Sequence, residues 1–131
     1  MQQVGYSNKS RIMLVLATLL FVSNAQASNC SMLSYAIDDA RTKLKRAANE
    51  TDFEDAKDYA RRARSALNDA AMAAMDCGCN MAYNEFDTAA SRARRARDAD
   101  TVEEFVDSLN RSIRSFNSAL DALRSCSRER R

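Results

Sequence analysis

The four cysteines constrain this chain most. The interval from Cys30 to Cys77 equals the interval from Cys79 to Cys126. Residues 30–77 therefore slide onto 79–126 without a gap, at a period of 49 residues. Identities are scattered along that alignment: Met32/Met81, Asp38/Asp87, Arg46/Arg95, Glu54/Glu103, Asp58/Asp107, Arg62/Arg111 and Asn68/Asn117. The cysteines choose the offset, but the identities between them do not depend on that choice. The pattern reads as a tandem duplication.

Each repeat reads as two helices. Apolar positions Leu33, Ile37, Ala40, Leu44 and Ala47 recur at alternating steps of four and three, and Ala82, Phe86, Ala89, Ala93 and Ala96 do the same. The second helix of each repeat shows Phe53, Ala56, Ala60, Ala63, Leu67, Ala70 and Ala74, then Val102, Val106, Leu109, Ile113, Phe116, Leu120 and Leu123. No strict alternation indicates a strand. Thr51-x-x-Glu54 and Thr101-x-x-Glu104 have the form of capping boxes, and each follows a basic helix end. Helices are expected near 32–48, 52–76, 80–97 and 101–125.

A helix, a short turn and a second helix bring the two ends of each repeat together. Cys30–Cys77 with Cys79–Cys126 is then the expected pairing, with Cys30 in a short extended lead. A Cys77–Cys79 bridge would close a strained ring. Loop entropy assigns each long bridge about 4 kcal/mol. The expected fold is all-α: two tandem disulfide-closed helical hairpins forming an antiparallel up-down four-helix bundle.

Residues 1–27 read as a secretory signal peptide. Lys9 and Arg11 precede an apolar run from Ile12 to Val22, and Ala25-x-Ala27 ends the segment. The run is about half the roughly 20 residues a spanning helix requires. The mature part, 28–131, is expected to be a single helical domain made of the repeats 30–77 and 79–126, periplasmic or secreted, with no transmembrane segment after cleavage. The whole chain has 20 Lys and Arg against 18 Asp and Glu. Removal of Lys9 and Arg11 leaves the two signs balanced. A general attraction to nucleic acid or to an anionic membrane is not expected.

The chain contains no histidine. A nucleophilic triad lacks its usual base, and no glycine-rich phosphate loop is present. The adjacent carboxylates Asp38/Asp39 and Glu103/Glu104 would point apart on a helix, as solvated surface. The expectation is a non-enzymatic binding or structural module without a cofactor. Its partner would be a protein or an anionic envelope component, and homo-oligomerisation is left open. Arg61, Arg62, Arg64, Arg92, Arg94, Arg95 and Arg97 form the candidate partner patch, because arginine grips phosphate and carboxylate bidentately. Asp58, Asp87 and Asp98 stand at helical spacing to neutralise part of it. The aromatics Tyr35, Tyr59 and Tyr83 do not interleave with the arginines as single-strand nucleic-acid binding requires.

The alternative centres on Met72, Met75, Cys77, Cys79 and Met81, which gather soft sulfur ligands suited to Cu(I) or to a redox dithiol. Against it, the repeat accounts for both cysteines without a metal, and methionines commonly fill gaps in an alanine-rich core. No metal ligand is assigned.

Overall fold

The computed structural model describes residues 30–129. The expected signal segment, with Lys9, Arg11, Ala25 and Ala27, and the expected mature terminus at Ser28 lie outside the described residues. Among the described residues there are four helices and no strand: α1 (30–49), α2 (Phe53–Asp76), α3 (Asn80–Arg97) and α4 (Val102–Glu129). The chain has no proline, and alanine, the strongest helix former, lines the interior.

The helices form a bundle closed by two disulfides, Cys30–Cys77 and Cys79–Cys126, with Cα–Cα distances of 5.5 and 5.8 Å. Helix α3 packs along both α2 and α4, whereas α2 and α4 barely meet. Helix α1 joins α2 through its disulfide, and it reaches α4 where the Arg41 guanidinium lies 5.8 Å from the Phe116 ring centre. Cys30 is already helical, so the expected extended lead is not present. Cys77 is the C-cap of α2, and the first turn of α1 comes near enough to bond it directly.

Between α2 and α3 the chain reverses in a very short turn. The Gly78 N–H donates to the Met75 carbonyl and the Cys79 N–H to the Ala74 carbonyl, each at 2.9 Å. These are the two bonds of a Schellman motif. Gly78 has φ 80°, a left-handed conformation that a β-carbon disfavours.

The capping boxes are only partly realised. Asp52, not Thr51, caps α2, and its carboxylate accepts from the Asp55 N–H. Glu50 takes the Thr51 and Asp52 N–H groups instead. At α4 the Thr101 hydroxyl does accept from the Glu104 N–H, but Glu104 reaches back to the Asp100 N–H rather than to Thr101. Asp52 and Thr101, the two observed caps, stand 49 residues apart, the offset of the expected repeat.

The core is built mostly from alanine. Four of the expected α1 positions are buried, with Ile37 half-buried beside buried Ala36; all five expected α3 positions are buried. Such small side chains let helix axes approach closely. The expected α4 stripe needs correction. Phe105, Leu109, Ser112, Phe116 and Ala119 are buried, Ile113, Leu120 and Leu123 are half-buried, and Val102 and Val106 are exposed. This inward set corresponds, one period on, to Ala56, Ala60, Ala63, Leu67 and Ala70, all buried on α2. Turning α4 this way keeps Phe116 inside and buries Phe105 as well, a ring whose apolar area exceeds that of either exposed valine. Phe105 meets Phe53 edge to face at 5.8 Å, and Phe116 lies 6.0 Å from Phe86.

Candidate functional site

The arginine patch comes from two helices that pack against each other. Each cluster lies in the half of its helix remote from the Cys77–Cys79 turn, so the folded chain brings both to one region. Buried Ala60 and Ala63 flank Arg61 and Arg62 on α2, and buried Ala93 and Ala96 interrupt the α3 cluster. The guanidinium groups are thereby held on the outward flanks.

Two carboxylates organise this surface. Asp58 receives Arg61 at 2.7 Å and Arg62 at 3.0 Å. The hydrogen bond from Arg61 is the largest influence lowering the Asp58 carboxyl, assisted by the Arg62 charge. Asp98 receives Arg97 through both oxygens, at 2.8 and 3.1 Å. That bond holds the Asp98 carboxyl below its ordinary value, and the charges of Arg94 and Arg64 lower it further. Arg64 from α2 and Arg94 and Arg97 from α3 thus all act on one carboxylate.

Asp87, expected to neutralise part of the patch, makes no ion pair among the described residues. Arg92 and Arg95 likewise have no ion-pair partner there. A polar cleft of about 460 Å³ beside Arg95 is lined by Ser91, Arg94, Asp98, Glu104 and Ser108. Of the three tyrosines, Tyr59 lies beside one arginine of the patch, Arg62. Arg62 and Arg46 lie 5.6 and 5.8 Å from its ring centre, on a face suited to cation–π contact.

The sulfur cluster is dispersed differently from its sequence order. Cys77 and Cys79 belong to different disulfides, and neither is a thiolate in this state. Met72, Met75 and Met81 do not fill gaps in the core; they are 56%, 42% and 74% exposed. Among the described residues no group of three or more Cys, Asp, Glu or His side chains is placed to hold a metal ion. Of the adjacent carboxylates, Asp38 pairs with Arg41 and Asp39 with Lys43, each one turn along α1.

A second cleft, of about 340 Å³, lies between α1 and α2 near the Cys30–Cys77 disulfide. Met32, Tyr35, Asp39, Asp69, Met72 and Asp76 line it. The sequence carried a signal for it in the residues at i, i+3 and i+7 on both helices, Met32/Tyr35/Asp39 and Asp69/Met72/Asp76. No helix among the described residues is long and apolar enough to cross a membrane. No family model, curated protein or solved structure matches the chain.

Proposed function

We propose that this protein is an exported, non-catalytic binding module that presents a disulfide-stapled helical face to an anionic partner. In this reading residues 1–27 direct export and are removed. The mature chain is one domain of two tandem hairpins, each closed by its own disulfide, running up and down as an antiparallel four-helix bundle. Its place is the periplasm or the exterior. Two disulfides and the absence of a membrane-length helix among the described residues support that compartment.

The binding face is the surface where α2 and α3 pool their arginines. One observation carries this reading: four of the seven guanidinium groups pair with Asp58 or Asp98, while Arg64, Arg92 and Arg95 have no ion pair with a carboxylate among the described residues. The paired arginines are held in place by those carboxylates, and the unpaired ones are free to grip an oxyanion bidentately. An alanine core stapled at one end keeps this array rigid, which lowers the ordering cost of binding.

Calorimetric titration with inorganic polyphosphate tests the reading. The wild-type protein should bind with an affinity that falls as salt rises. Arg92→Ala with Arg95→Ala should weaken binding about tenfold, as loss of charge-assisted hydrogen bonds does. Equal binding by the variant, or none by the wild type, would remove the patch from the function.

A further inference from the structure

The large apolar side chains that stand exposed are unevenly distributed. Among the described residues Met32, Tyr35, Met72, Met75 and Met81 gather at the disulfide end, and Val102 and Val106 stand apart at the start of α4. Met32, Tyr35 and Met72, 63%, 72% and 56% exposed, line the α1–α2 cleft with Asp39, Asp69 and Asp76. An apolar patch rimmed by charge is a common mark of an interaction surface.

The cleft itself is one-sided in charge: its charged lining residues are the acids Asp39, Asp69 and Asp76. Within residues 30–40, 69–87 and 118–127 the one cation is Arg124, which Asp121 holds at 3.2 Å, and Arg128 follows near the end of α4. Asp39 pairs with Lys43, but Asp69 and Asp76 have no ion pair among the described residues. Along α2, Asp69, Met72 and Asp76 fall on one stripe, the two carboxylates two turns apart, about 10.5 Å along the axis. Met32, Tyr35 and Asp39 make the facing stripe on α1.

We propose that this cleft docks a cationic amphipathic helix. The incoming apolar face would lie on Met32, Tyr35 and Met72. Its lysines or arginines would meet Asp69 and Asp76, which have no ion pair among the described residues. Unbranched thioethers adapt to the side chains they receive, and a helix laid in a groove buries such a stripe lengthwise. This face is opposite in sign to the arginine surface and lies at the other end of α2, so one module would carry two sites for oppositely charged partners.

The test is titration of the full secreted protein with a short amphipathic helix of leucine and lysine, with glutamate in place of lysine as the control peptide. The lysine peptide should bind and the glutamate peptide should not. Asp69→Asn with Asp76→Asn, and separately Met32→Gln with Met72→Gln, should each weaken binding about tenfold without altering polyphosphate binding. In protein labelled at the methionine methyl groups, the Met32 and Met72 resonances should move and that of Met81 should not. Absence of binding, equal binding of both peptides, or indifference to both pairs of substitutions would overturn the proposal. So would concentration-dependent self-association of the protein that the same substitutions abolish, since a second copy would then occupy the cleft.

Discussion

The Ser112 hydroxyl donates a 2.8 Å hydrogen bond to the Ala89 carbonyl, tying α4 to α3 inside the core. Ser112 is fully buried, and its bond removes most of the cost of placing a hydroxyl there. The equivalent residue of the first repeat is buried Ala63. Ser112→Ala should therefore cost only about 0.5–1.5 kcal/mol, the net worth of a typical hydrogen bond. Ser112→Val adds bulk to a close alanine seam and should cost more, about 1–3 kcal/mol. Urea melts of the two variants check the order; a valine variant as stable as the alanine one would show that this seam has room.

The turned face of α4 makes a sharper contrast. Phe105→Ala removes a buried ring and should cost about 3–5 kcal/mol. Ile113 lines an open cleft between α1 and α4 with Arg41, Leu44 and Lys45, and its loss should cost less than that of Phe105. Arg61→Ala should stay within about 0.5 kcal/mol, as surface changes usually do. A larger loss at Ile113 than at Phe105 in chemical denaturation would return α4 to the orientation suggested by its valines and isoleucine.

These differences show what was legible in the sequence. The spacing of Leu33 through Ala47 and of Ala82 through Ala96 was enough to place α1 and α3, because few strongly apolar residues competed for other faces. In α4 the apolar residues exceed one stripe. Val106 and Ile113 attract the eye more than Ser112 does, and only the bond to Ala89 explains why a serine lies inward. The 49-residue offset pairs Ser112 with Ala63, Phe105 with Ala56 and Thr101 with Asp52, positions that are alike in burial or in capping. In the arginine patch, Asp58 and Asp98 were legible at helical spacing. That Asp87 makes no ion pair among the described residues was not legible, since spacing permits an ion pair without compelling one. The exposed methionines were misread because thioethers suit a core as well as a surface.

Acid should weaken the fold partly through Asp98 and Asp58. Arginine hydrogen bonds depress both carboxyls from the ordinary 3.8. A depressed folded-state carboxyl contributes stability that is present above its unfolded value and lost as pH falls through its folded value. Asp55 works in the opposite sense: the neighbouring Asp52 charge raises its carboxyl most, so its protonation relieves repulsion. Thermal melts followed from pH 7 to pH 2 should show wild-type stability falling below about pH 4. Asp98→Asn should be less stable at pH 7 and should lose less on acidification. Parallel curves for the two proteins would show that the Arg97–Asp98 pair contributes nothing to the linkage.

Non-reducing peptide mapping of the purified protein, with its thiols first exposed to an alkylating agent, decides whether residues 1–27 are removed and whether residues 30–77 and 79–126 are each closed on themselves by a disulfide. The expected result is a first residue of Ser28, no alkylated cysteine, and linked peptides joining Cys30 to Cys77 and Cys79 to Cys126. Residues 1–27 retained, free thiols at Cys77 and Cys79, or a bridge from one repeat to the other would contradict it.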